Sequence, residues 1–160
     1  MAAYGGITQV SADFADFYRD TFGDLAGYAW SLTRDAHVGD ELAQEALTRV
    51  YARWGLMRDP RPYAYRIVTN LARDRWKAEQ RERAAWPDLT DEAPVEATDD
   101  TTLDAVRRLS PPLREAVLLH YYADLPVDEV ARVLRRPVGT VKRRLFDARA
   151  ALAAALEDVR

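Results

Sequence analysis

Three groups of side chains in this 160-residue sequence have types and spacings that could do chemistry. The first lies in 127–152. A short apolar-periodic segment, a turn at Arg135, Arg136 and Pro137, and a longer segment from Val138 make a helix-turn-helix pattern. Ala131 is small where two helices would cross, and Val141 and Leu145 would lock the second helix onto the first. Thr140, Lys142, Arg143, Arg144, Phe146 and Asp147 are left for the other faces, with Arg149 beyond Phe146. A helix of this diameter fits the DNA major groove, where Arg and Lys donate to guanine edges and phosphates. Two packed helices with a solvated basic face would show the same spacing.

The second group is Pro62-Tyr63-Ala64-Tyr65-Arg66-Ile67-Val68-Thr69-Asn70, followed by Arg73, Arg75 and Lys77. Aromatic faces stack on unpaired bases, Arg holds phosphates, and Asn can pair with a base edge. A core helix with buried aromatics is the competing reading. The third group is acidic: Asp40, Glu41, Gln44 and Glu45. His37, Glu41 and Glu45 at four-residue steps could sit on one helix face as metal ligands. Such a set lacks half its ligands, so a protein-docking face is the more economical reading. No glycine-rich phosphate loop, helical histidine pair or Gly-x-Ser-x-Gly appears, so no catalytic residue, metal or cofactor is expected. His120, among Leu118, Leu119, Tyr121 and Tyr122, is expected to be structural.

Helical spacing positions all three groups, and no stretch alternates like a strand. Phe14, Phe17, Tyr18, Leu25, Tyr28, Ala29 and Leu32 mark a first helix. Val38, Leu42, Ala46, Val50 and Trp54 mark a second, which breaks at 55–60. A third starts at Pro62, with Ile67, Val68, Leu71, Ala72 and Trp76 as its stripe. Leu103, Val106 and Leu109 precede Ser110-Pro111, which reads as a cap and first-turn proline before a helix over 113–122. Two more helices follow, over 127–134 and from Val138 onward.

Composition sets the frame. At 48% hydrophobic the chain can bury a core, and zero cysteines exclude disulfides and cysteine chemistry. No apolar run approaches a membrane span, and no secretory signal is visible, so a cytoplasmic protein is expected. The net charge of -3 argues against nucleic acid until it is mapped along the chain. Residues 13–45 are mostly acidic, 66–83 basic, 88–104 purely acidic and 132–149 strongly basic. Segregation of this kind suggests two polyanion surfaces and separate acidic ones. The acidic stretch is also rich in Pro and Thr and poor in large apolar residues, so it cannot form a core. The expected fold is all-α. Two small helical domains, 10–86 and 103–157, are joined by an acidic flexible linker at 87–102, and the second is the helix-turn-helix.

Together these segments resemble the extracytoplasmic-function (ECF) group of bacterial RNA polymerase sigma factors. Glu41-Leu42-Ala43-Gln44-Glu45 is similar to that family's Asp-Leu-x-Gln-Glu segment, Tyr65-Arg66-Ile67-Val68-Thr69-Asn70 to its Tyr-Arg-Ile-Ala-x-Asn motif, and Pro137-Val138-Gly139-Thr140-Val141-Lys142 to the opening of its recognition helix. The resemblance implies a transcription initiation factor that binds core RNA polymerase and directs it to promoters through the -35 and -10 elements. It implies that such a factor also helps to melt the DNA. By the same resemblance, 10–86 corresponds to sigma domain 2 and 103–157 to sigma domain 4. Asp40, Glu41, Gln44 and Glu45 then dock on the polymerase β′ clamp, and the second unit meets the β flap. The loop at 55–61 with Tyr63, Tyr65, Arg66 and Asn70 captures flipped -10 bases, while Arg73, Arg75 and Lys77 hold nearby phosphates. Thr140, Lys142, Arg143 and Phe146 face the -35 element, with Arg144 and Arg149 near its backbone. A separate anti-sigma factor is a further expectation of the family, and no membrane insertion is expected. Three departures bear on -35 preference: Arg135 where the turn usually has Gly, Arg143 where Ser is common, and Asp147 where a base is common. The alternative on the residues alone is a stand-alone helix-turn-helix regulator.

Overall fold

The computed structural model describes residues 3–87 and 100–158, with side chains from residue 12 onward. The linker expected at 87–102 lies for the most part outside the described residues. Among those described, the chain is helical without strands: α1 (Ala3–Thr33), α2 (Ala36–Ala52), α3 (Pro60–Ala85), α4 (Thr101–Arg108), α5 (Pro111–Val117), α6 (Val127–Leu134) and α7 (Val138–Glu157). A 3-10 turn, Trp54–Leu56, fills the break expected after α2.

Aspartates start three of the helices, because a carboxylate accepts from amides that lack an intrahelical partner. Asp35 accepts from the Val38 amide, Asp59 from Arg61, and Asp100 from Thr102 and Leu103. Pro60 rather than Pro62 opens α3, since its missing N–H costs nothing in the first turn. Ser110 is different: it precedes α5, yet its hydroxyl makes no capping bond. The helix expected over 113–122 is also not uniform. It runs as α5 and then widens into a π-helical segment, Leu118–Tyr122, which Asp124 ends with a φ of 56°. His120 is structural there, its Nδ1–H donating to the Leu125 carbonyl at 2.8 Å.

In the N-terminal unit α1 and α2 form a helical hairpin, closed by Arg34 at φ 60°. Gly39 is needed at their crossing, since a Cβ there would lie 2.9 Å from the Ala26 carbonyl oxygen. α3 packs across both. Leu25, Leu47, Val50 and Val68 are fully buried, and each contributes about 1.5–3 kcal/mol. The Tyr28 hydroxyl bonds Thr69 Oγ1 at 2.8 Å, and Thr69 in turn donates to the Tyr65 carbonyl at 2.7 Å. In the C-terminal unit Val130, Leu134, Val141, Leu145 and Ala148 form the seam between α6 and α7. Arg135, at φ 51° and ψ 49°, makes the turn between them, and the Arg136 amide closes it on the Ala131 carbonyl at 3.0 Å.

The two units also pack on each other, which the sequence does not announce. α3 lies against α6. Arg73 of α3 makes two bonds to Glu115 of α5, at 2.9 and 2.6 Å. Arg34 donates to the Arg107 carbonyl at 2.9 Å, and Arg61 to the Ala123 carbonyl. The Arg107 guanidinium sits 4.0 Å from the Trp30 ring centroid, and the Tyr122 hydroxyl fits over the bare Cα of Gly27.

Candidate nucleic-acid and protein interfaces

On α2, Val38, Gly39, Ala43, Ala46, Leu47 and Val50 are buried, which turns Asp40, Glu41, Gln44 and Glu45 to solvent. All four are exposed, and the expected acidic face is continuous. His37 Nε2 lies 3.0 Å from Glu41, and Arg49 Nε lies 2.8 Å from Glu45. Exposed pairs of this kind are worth about 0–1 kcal/mol, so a partner can exchange them easily. The two carboxylates are engaged separately, and among the described residues no His, Asp and Glu cluster is arranged as a metal site.

On α3, residues 63, 66, 70, 73 and 77 recur at three- and four-residue steps and so share one stripe. Tyr63 and Arg66 are half-buried, while Asn70, Arg75 and Lys77 are exposed. Two expected site residues are placed otherwise. Tyr65 is wholly inside, its ring edge-on to Tyr28 at 5.2 Å, and burial pushes its hydroxyl pKa up to about 12. It cannot stack on a base in this arrangement, because its position belongs to the core stripe with Ala64, Val68 and Ala72. Arg73 is held by Glu115, so its charge is already matched. Arg75 pairs with Glu79 at 3.3 Å on its own helix.

On α7, Val141, Leu145 and Ala148 are buried, and Lys142, Arg143, Phe146 and Arg149 are exposed. Phe146 presents 67% of its surface to solvent, an apolar ring flanked by cations. Such a group suits contact with a thymine methyl. Thr140 is half-buried, and Arg149 donates to the Tyr121 hydroxyl at 2.9 Å. Arg144 turns away from this surface and lines a cleft shared with Arg73, Glu115 and Arg136.

Leu56, within the expected base-capturing loop at 55–61, is 86% exposed in the turn between α2 and α3. Local spacing does not mark Glu115 and Arg107, charged residues that sit at buried helical positions and tie the units together.

A sigma-70 region 2 family model matches residues 13–82, and a sigma-70, region 4 model matches residues 100–152. An RNA polymerase sigma-E factor of Streptomyces antibioticus is 31% identical over 134 residues, covering 79% of this chain and 74% of that one. The ECF RNA polymerase sigma factor SigW of Bacillus subtilis is 28% identical, over 92% of this chain and 89% of that one. The fold is similar to that of the sigma factor RpoE from Bartonella quintana, solved in complex with the anti-sigma factor NepR. The TM-score is 0.78 at 22% identity, over 92% of this chain and 99% of that one.

Proposed function

This chain belongs to the extracytoplasmic-function group of RNA polymerase sigma factors, and we propose how its surfaces divide the work of starting transcription. It is an RNA polymerase-binding transcription initiation factor, and sigma factors as a class carry no enzymatic step. Residues 10–86 form the polymerase- and -10-directed unit, and 103–157 the -35-directed unit. Asp40, Glu41, Gln44 and Glu45 dock on the β′ clamp, while the C-terminal unit meets the β flap. The exposed turn with Leu56, together with Tyr63, Arg66 and Asn70, receives bases flipped from the melted -10 strand, and Lys77 and Arg75 hold its phosphates. Lys142, Arg143 and Phe146 enter the -35 major groove, with Thr140 at their edge and Arg149 on the phosphates. Arg73 and Arg144 join the DNA contacts only once the units separate, since in the packed arrangement both face the other unit. A separate anti-sigma protein is a further partner.

The observation that carries this reading is the presence of an exposed basic face on α7 and a partly exposed stripe of cations, Tyr63 and Asn70 on α3, beside one continuous acidic face on α2. A stand-alone helix-turn-helix regulator is not favoured, because it leaves the α2 face and the region 2 match without a role. Run-off transcription from genomic fragments with core polymerase tests the reading. Addition of this chain is expected to produce defined transcripts, and none from any fragment would overturn it. No helix among the described residues is long and apolar enough to cross a membrane.

A further inference from the structure

Where the two units meet they form an open cleft of about 640 Å3. That volume lies within the range of small-molecule sites. Its wall carries eight cationic side chains against two carboxylates, Glu79 and Glu115. Both carboxylates are already used, Glu79 by Arg75 and Glu115 by Arg73. Arg136 and Arg144 from the C-terminal unit, and Lys77 from α3, line the same space and make no ion pair among the described residues.

Packing the units together therefore crowds like charges that the fold does not neutralise. Burial, and then Arg34, make the charge of Arg114 costly, with Glu115 opposing and Arg107 adding to the effect; its Nη2 donates to the Arg107 and Leu109 carbonyls, and its Nε is buried without an acceptor. Burial and then Arg136 do the same to Arg144, with Arg73 adding to the effect. Like-charge neighbours in a partly desolvated site are stabilised most by a compact anion of several charges. Beside Arg73, Arg75, Lys77 and Arg83, α3 also brings an aromatic and an amide to the cleft. Trp76 lines the cleft with 56% of its surface exposed, and Gln80 follows one turn later on α3. An indole face takes any nucleobase by stacking, and an amide can meet a base edge.

We propose that this cleft binds a small polyphosphorylated nucleotide, its phosphates held by Arg114, Arg136 and Arg144 and its base stacked on Trp76. The base platform belongs to α3, and the three guanidiniums belong to the C-terminal unit: Arg114 on α5, Arg136 in the turn after α6 and Arg144 on α7. The ligand therefore bridges the units and favours their packed arrangement. It also occupies Lys77 and Arg144, which the promoter reading assigns to DNA, so nucleotide and promoter compete for this protein. Binding in the cleft rests on the packed arrangement alone, and only the competition with promoter rests on the promoter reading.

Isothermal titration calorimetry of the full chain with ATP, GTP and inorganic tripolyphosphate, at about physiological salt, tests it. One-to-one binding of all three is expected. Arg136→Ala removes an exposed side chain whose backbone alone serves the turn, and it should weaken all three about tenfold. Arg136→Lys should restore part of that loss. Trp76→Ala should weaken the two nucleotides about tenfold and leave tripolyphosphate unchanged. Circular dichroism melts verify that each variant is folded. No binding at millimolar ligand would overturn the inference, and so would binding that neither variant alters. Equal loss of nucleotide and tripolyphosphate on Trp76→Ala would remove the base platform from it. A twelve-nucleotide single strand bound more tightly than GTP, with the same variant dependence, would assign the cleft to nucleic acid instead. Promoter binding by the holoenzyme in the absence of nucleotides, measured by filter retention, reports on the promoter reading separately.

Discussion

The basic stripes of α3 and α7 are built from similar residues but are presented differently. On α7 the cations Lys142 and Arg143 and the ring of Phe146 stand free, while the apolar stripe holds the helix to α6. On α3 one expected aromatic is core and one expected cation is tied to α5. A duplex-reading helix needs only a rigid cylinder with an outward face, and α7 has one. A surface that handles a melted strand must combine aromatics, cations and an amide within a few turns. Its aromatics then compete with the core for the same positions. Tyr65 went to the core, and Tyr63, Leu56 and Asn70 are left at the surface. On the proposed assignment, the Lys142, Arg143 and Phe146 face is exposed as folded, whereas Arg73 on α3 and Arg144 on α7 are turned to the other unit.

The largest expected effect lies outside both stripes. Glu41→Lys with Glu45→Lys should abolish co-purification with core polymerase while the melting temperature stays near that of the parent. Retained co-purification would remove the α2 face from the account. Next is Asn70→Ala. A two-bond base contact is worth about 1–3 kcal/mol, so open-complex formation should fall by roughly ten- to a hundredfold with polymerase binding intact. An unaltered permanganate footprint would break the -10 side of the comparison. Glu115→Ala frees Arg73, and the account expects a several-fold gain in affinity for a single-stranded oligonucleotide, measured by fluorescence anisotropy. Duplex binding through α7 should not change with it, and a loss of single-strand affinity would show that Arg73 needs Glu115 to reach the strand. Smallest is Arg135→Gly. Relief of a left-handed arginine should add about 1 kcal/mol of stability in urea unfolding and leave base preferences as they were.

Much of the fold was legible. Periodicity located the helices, but the cost of a left-handed arginine argued for a different turn at Arg135, and Arg135 is nevertheless left-handed, at φ 51° and ψ 49°. The α2 acidic face was legible because a helix with Val38, Ala46 and Val50 inside must turn Glu41 and Glu45 outward. The burial of Tyr65 was not legible, because its motif says which residues act together, while burial depends on Tyr28, a residue 37 positions away in the sequence. The Arg73–Glu115 pair spans 42 residues. Local spacing holds no information about such a pair, and Glu115 reads as an ordinary charged residue of an amphipathic helix. The same limit hid the packing of the two units and the cleft between them.

The division of labour between α3 and α7 is tested most directly by transcription from a library randomised at the -35 and -10 elements, with Asn70→Ala, Arg143→Ala and Arg149→Ala compared. Lys142 and Arg143 point about 100° apart, with Phe146 between them on the next turn, so Arg143 should reach base edges. The account predicts that Arg143→Ala changes the preferred -35 bases and leaves -10 preference alone, while Asn70→Ala does the reverse. Arg149→Ala should weaken all sequences alike and lower the salt dependence by about one phosphate contact. If Arg143→Ala keeps the parental -35 preference while Arg149→Ala alters it, or if Asn70→Ala changes -35 choice, the surfaces have been assigned to the wrong elements.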